Sequence, residues 1–213
     1  MAGNKQIEKT FAEMLAEARV PPGATVLHVG AHHGEEDSLY SEHKLVPVYV
    51  EANPAAFAML QKMHPKRRCV HALVTTSDGG TATLWISSPD VCSSPLPAIK
   101  KVPGIGNIRL DVQGIQVPKR TVDSICHELN VQPQVLVIDV QGAEWRVLSG
   151  ATSMLKNISA IWCELWKQAI YQGTVLGHEI VRALRKGGFE MVRYVAGSSP
   201  AWGDGFFIRR TAK

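Results

Sequence analysis

The chain lacks any apolar run approaching the ~18 residues that a membrane-spanning helix needs, so no membrane association is expected. Its first residues, MAGNKQIEKTF, carry charges where a signal peptide needs an apolar core, which argues against export. Cysteine is sparse: Cys69, Cys92, Cys126 and Cys163 stand far apart with no CxxC pair. Reduced, mostly buried thiols in a cytoplasmic protein are expected. Concentrated charge is missing as well. The net +4 is spread over pairs such as Arg67-Arg68, Lys100-Lys101, Lys119-Arg120 and Arg209-Arg210, with no aromatic platform beside them. Such pairs read as solvated faces and strand ends, not as a nucleic-acid footprint.

What is present suits one enzyme-sized domain over 1–213. Apolar residues make up 45% of the 213, enough for a substantial core and too many for a disordered chain. No repeat or second domain is visible. The apolar spacing of Ile7, Phe11, Met14, Leu15 and Ala18 predicts an amphipathic helix over 4–18, ended by Pro21-Pro22-Gly23 and making 1–22 an N-terminal helix and linker.

Three segments carry the functional signal: VLHVGAHHG (26–34), VYVEANP (48–54) and LVIDVQGAE (136–144). Each opens as a β-branched run and closes in glycine or polar residues, as a buried parallel strand does where it emerges at its carboxyl end. Ligands of open α/β sheets bind just beyond such ends. The turn Gly30-Ala31-His32-His33-Gly34 lacks the middle glycine that a dinucleotide fingerprint uses to approach a pyrophosphate. Two glycines four apart suffice for a nucleoside cofactor without phosphate, S-adenosylmethionine. Glu51, which ends the second strand with Ala52 and Asn53 behind it, fits the acid that accepts hydrogen bonds from the ribose hydroxyls.

The remaining pattern predicts strands at 24–29, 46–51, 69–74, 134–140, 159–165, 189–195 and 204–210, with an added antiparallel strand at 81–87. Helices are expected after Gly34, from Asn53-Pro54, and over 121–130, 144–156 and 175–187. Residues 88–118 are punctuated by proline and glycine and read as an insertion or lid over the acceptor site, with a short hairpin made by NIRLDV and GIQVPK.

Carboxylates at the ends of adjacent strands are the candidates for chemistry. Asp139 ends a run of buried β residues, Glu164 ends the strand WCELW, and Glu144 opens a helix, where negative charge is favourable. Asp139 is the expected general base for a hydroxyl nucleophile, with Glu164 and His32 as alternatives. Trp162 and Trp166 bracket Glu164 and are candidates for an acceptor slot. His28, His32 and His33 lie near Glu35, Glu36 and Asp37. Adjacent histidines on a turn should diverge, and no HxH or HExxH spacing is present, so no metal is expected.

The stretches VLHVGAHHG, VYVEANPAAFAML, SSPL (93–96), KRTVDSI (119–125), LVIDVQGAEWRVLSGA (136–151), AIWCEL (160–165) and GDGFFIRR (203–210) together resemble the FkbM-type S-adenosylmethionine-dependent methyltransferases. The resemblance implies a class I methyltransferase (Rossmann-like) α/β fold, doubly wound on a mostly parallel seven-stranded sheet. It implies O-methylation of a small molecule such as a sugar, polyketide or other secondary metabolite. Adenine would then lie against Ala72 and Leu73, Ser93 and Ser94 would match the family's serine-rich loop, and Gln141 would replace an acid, leaving Gln141, Glu144 and Trp166 on the acceptor side. His28 likewise stands where the family usually has an acid. An NAD-linked oxidoreductase and a non-catalytic binding protein of the same fold are the competing readings.

Overall fold

The computed structural model describes residues 2–99 and 109–210. Helix α1 (Ala2–Glu17) leads into β1 (Thr25–Val29), α2 (Asp37–Glu42), β2 (Val46–Glu51), α3 (Pro54–Met63) and β3 (Arg68–His71). The short β4 (Leu73–Val74), β5 (Thr81–Ser88) and β6 (Arg109–Arg120) follow. The chain then runs through α4 (Val122–Leu129), β7 (Val135–Ile138), α5 (Glu144–Ser149), β8 (Ala160–Trp166), α6 (Gly177–Lys186), β9 (Phe189–Ala196) and β10 (Trp202–Arg209).

Seven strands form the main sheet in the order β3-β2-β1-β7-β8-β10-β9, all parallel except β10, which lies antiparallel between β8 and β9. Strand periodicity divides the core into two layers. Leu27, Val29, Leu136, Ile138, Ile161 and Cys163 face α4, α5 and α6 through Val122, Ile125, Val147, Leu148, Ile180 and Leu184. Their neighbours Val26, Val135, Val137, Ala160 and Trp162 face α1, α2 and α3 through Phe11, Met14, Tyr40 and Leu60. This is the doubly wound arrangement that the alternating strand and helix patterns predict. Helix α1 buries its predicted face, with Phe11 and Met14 fully inaccessible.

The structure corrects three expectations. NIRLDV and GIQVPK do not fold on each other: β6 runs unbroken from Arg109 and pairs antiparallel with β5. Gly114, the apparent turn residue, faces the indole of Trp85, where a Cβ would lie 3.0 Å from the ring. Glycine there admits an aromatic ring across the strand pair and makes no turn. Asn107 and Ile108 lie outside the described residues. The strand expected over 69–74 divides at Ala72, with β3 in the main sheet and β4 in a small sheet of order β4-β6-β5. Helix α5 stops at Ser149 and does not reach 156; its C-cap Gly150 packs on the Thr75 carbonyl so closely that a Cβ would approach it to 2.2 Å.

Asn53 caps α3: its side chain accepts from the Ala55 N–H at 3.0 Å, and Pro54 occupies the first helical position. Replacing Asn53 with alanine is expected to lower unfolding free energy in urea by about 1 kcal/mol.

Candidate functional site

The carboxyl ends of β1, β2 and β7 meet at one point through their backbones. Gly30 N–H and Ala31 N–H both donate to the Val50 carbonyl, at 2.9 and 3.1 Å, and Asp139 N–H donates to the Val29 carbonyl at 3.0 Å. Gly30 has φ +83°, and a Cβ on it would lie 1.7 Å from the Asp139 carbonyl oxygen. Only glycine permits that approach. Beyond these ends opens a cavity of about 930 Å³, part of it continuous with solvent. Gly30, Ala31, Glu51, Ala52, Ala72 and Leu73 line it, together with Leu84 of β5 and Asp90, Val91, Ser93 and Pro95 of the following segment.

Glu51 is buried, and each of its oxygens already accepts one backbone N–H: His32 N–H at 2.8 Å and Asn53 N–H at 2.7 Å. Burial pushes its pKa up, and the two N–H groups partly offset that. Gly34 lies outside the cavity lining. A Cβ on it would lie 2.9 Å from Leu60 and from His64, so this glycine lets the turn pack on α3.

Gln141 adopts φ +53° and links the acidic groups. Its amide nitrogen donates to Asp139 Oδ1 at 2.8 Å and to Glu164 Oε2 at 3.2 Å, while its Oε1 accepts from Tyr171 at 3.3 Å. Asp139 is exposed into the cavity, whereas Glu164 is buried behind the amide. Burial holds the Glu164 carboxyl well above its ordinary range, and partial desolvation raises that of Asp139. Glu144 is fully buried. Its Oε1 accepts from Gly142 N–H at 2.9 Å, and its Oε2 has no partner among the described residues. Burial raises its pKa to about 7.

Several expected site residues are placed elsewhere. Ser94 is buried, donating to the Gln141 carbonyl at 2.7 Å and accepting from Leu96 N–H, so its hydroxyl braces the loop behind the cavity. Trp166 packs with Leu96, Ile170 and Tyr171, and Trp162 lies in the core, its indole N–H on Asp204. Neither tryptophan lines the cavity.

His32 and His33 do not diverge. Their rings lie 3.7 Å apart at 30°, and the donors of His32, His33 and Asp90 fall within 4.8 Å of one another, close enough to converge on a small cation. His32 is instead engaged by acids on both sides, with Glu35 3.0 Å from Nδ1 and Asp90 3.4 Å from Nε2. The Glu35 hydrogen bond is the largest influence raising its pKa, to about 9. The two flanking acids favour the protonated ring, which disfavours it as a proton acceptor. His28 is buried at the cavity floor with Nδ1 3.1 Å from the Tyr40 hydroxyl, and burial lowers its pKa to about 4.

The sequence pattern groups Glu36 with the histidines and Asp37 and gives it no site role. In the fold it lines the cavity, it follows the glycine turn directly, and burial raises its pKa to about 7. Asp37 points away and pairs bidentately with Arg67 at 2.8 and 2.9 Å.

A parallel sheet closed by one reversed strand, with a cavity beyond the ends of β1, β2 and β7, defines the class I S-adenosylmethionine-dependent methyltransferase fold. Solved structures agree on that fold. Magnesium protoporphyrin IX methyltransferase (ChlM) from Synechocystis PCC 6803, with bound SAM, superposes at TM-score 0.53 and 12% identity over 98% of this chain and 81% of its own. A SAM-dependent methyltransferase from Geobacter sulfurreducens, in complex with S-adenosyl-L-homocysteine, gives 0.51 and 10% over 95% and 90%. TrmK of M. capricolum, in complex with S-adenosyl-homocysteine, gives 0.52 and 7% over 92% and 67%. Residues 28–191 match the methyltransferase FkbM domain, and the chain belongs to that family. No curated protein matches it significantly in sequence. No helix among the described residues is long and apolar enough to cross a membrane.

The raised acids make stability fall with pH. Glu36, Glu144 and Asp204 are each held near 7, so the folded chain keeps protons that the unfolded chain loses above about 4 to 4.5. Their contribution is complete below that range and is lost as pH rises through 7. The contribution of His32 is complete below about 6.5 and is lost as pH rises through 9. His28 opposes them, since its depressed pKa loses stability as pH falls from 6.5 toward 4. The thermal midpoint of the ligand-free protein is therefore expected to be higher at pH 5.5 than at pH 8.5. Glu144→Gln should raise the midpoint at pH 8 and leave it nearly unchanged at pH 5, as scanning calorimetry at the two pH values would show.

Proposed function

We propose that this protein transfers the methyl group of S-adenosylmethionine to a hydroxyl of a small molecule, of the sugar, polyketide or secondary-metabolite kind. The charge of the cavity carries this reading. The described lining offers five carboxyl groups, those of Glu35, Glu36, Glu51, Asp90 and Asp139, and no lysine or arginine. An NAD pyrophosphate would meet acids where it needs cations or free N–H groups. A cofactor that is a sulfonium and an ammonium suits the same lining. Gly30 and Ala31 would take its methionine portion, Glu51 with its remaining lone pairs would take the ribose hydroxyls, and Ala52, Ala72, Leu73 and Leu84 would form the apolar wall for the adenine. When bound, the cofactor supplies a methyl carbon activated by the sulfonium.

The chain is left with orienting the acceptor and taking its proton. Asp139 suits the role of base. Its Oδ1 is held by the Gln141 amide, its Oδ2 carries no protein hydrogen bond among the described residues, and its raised pKa brings it nearer to neutrality. Glu164 acts through Gln141, sharing the amide that orients Asp139. The segment 90–95 walls the cavity opposite the glycine turn, which suits an enclosed small acceptor better than a polymer. Four free thiols fit a reducing, cytoplasmic setting.

Calorimetry decides the cofactor: S-adenosylhomocysteine should bind, NAD should not, and the reverse order would refute the reading. Glu51→Ala should weaken S-adenosylhomocysteine binding by about 1.5–3 kcal/mol. Asp139→Asn should cut turnover at least ~100-fold with cofactor affinity within a few-fold. Near-normal turnover in that variant would point to an amine or an already acidic hydroxyl as acceptor, and absence of turnover on any acceptor would favour a binding protein.

A further inference from the structure

The floor of the cavity holds a carboxylate without a counterion. The Glu36 side chain is 31% exposed, and its nearest basic group is His28 Nδ1 at 3.8 Å. Its carboxyl accepts only its own backbone N–H, and it has no lysine or arginine partner among the described residues. His28 cannot neutralise it, because the ring is only 4% exposed, shares Nδ1 with the Tyr40 hydroxyl and stays neutral in that burial. The arrangement differs from three acids close to it in the chain or the lining: Glu35 is matched to His32, Asp37 to Arg67 and Glu51 to two backbone N–H groups. A half-buried acid with no cation beside it, on the floor of the cavity, is a place for a cation brought by a ligand.

We propose that Glu36, set against the buried ring of His28, is the subsite for a primary ammonium group, the α-amino group of the cofactor. This rests on the reading of the cavity as an S-adenosylmethionine site. Position 28 at the end of β1 carries no negative charge, so the acid arrives from the start of α2 on the other side of the glycine turn. The ammonium restores to Glu36 the charge partner that burial of His28 denies it, and Glu36 ionises fully when the ligand binds. Titratable groups around it are Glu35 and His32 of the turn, His28, Tyr40 of α2, Tyr49 of β2, Asp139 after β7 and Asp204 of β10. None of these supplies a fixed cation in direct contact with the Glu36 carboxyl.

The test is a double comparison by calorimetry at pH 7.5, using S-adenosylhomocysteine and its analogue lacking the α-amino group, on the full chain and on Glu36→Gln. Glu36→Gln should bind S-adenosylhomocysteine at least ~10-fold more weakly, and should bind the deaminated analogue within about twofold of the unaltered protein. Equal losses for both compounds, or no loss for either, overturn the assignment. If the unaltered protein binds neither compound, it is the cofactor reading that fails. Should Glu36→Gln not fold, the unaltered protein still answers the question. Near pH 7, binding of S-adenosylhomocysteine should release a fraction of a proton, measured across buffers of different ionisation enthalpy, and the deaminated analogue should release none. The same proton count for both compounds overturns the proposal.

Discussion

Everything at the site depends on one backbone contact, the approach of Gly30 to the Asp139 carbonyl. A side chain at position 30 would occupy the place of that oxygen. Because it is absent, β1 can turn sharply under the end of β7 while its next two N–H groups bond to β2. Three strand ends are thereby held together, and the carboxylates they carry are set around a single cavity. The Glu51 carboxylate then accepts the His32 N–H, which ties the turn to β2 a second time. The geometry of the site is thus a consequence of sheet register and one missing methyl group.

Electrostatics follow from that crowding. Packing several acids beside each other in a partly desolvated space raises most of their pKa values, and the chain answers with a neutral amide. Gln141 donates one amide group to Asp139 and Glu164, where a carboxylate would have added repulsion. His32 sits at the rim between Glu35 and Asp90 and joins the glycine turn to the wall contributed by residues 90–95. Such a site is unstable toward ionisation while empty and gains a charge partner when a cation enters. Stability given up in the ligand-free chain becomes binding free energy in the complex.

The layers and most elements were legible in the sequence because strand and helix periodicities are local. The run VLHVG reads as strand and turn from its own residues, and Ile7, Phe11 and Met14 mark their helix face without reference to anything else. Some of the exceptions share one cause, a glycine whose partner lies far away in the chain. NIRLDV and GIQVPK read as a hairpin until Trp85 is seen across from Gly114, and Gly150, just past α5, packs where a side chain would meet Thr75. Gly34, read as passing the cofactor, instead passes Leu60 and His64.

The sequence by itself determined the fold class, the family, the turn and the identity of the acids, since each follows from residue type at short spacing. Tertiary structure decided which of those groups reach the cavity and in what protonation state. Ser94 and Trp166 carry suitable chemistry but are turned into packing, while Glu36 gained a place on the floor. His32 is a candidate base by residue type, and Glu35 and Asp90 flanking it favour its protonated form. Burial and charge partners are sums over atoms distant in the chain, so they exist only after the strands have assembled.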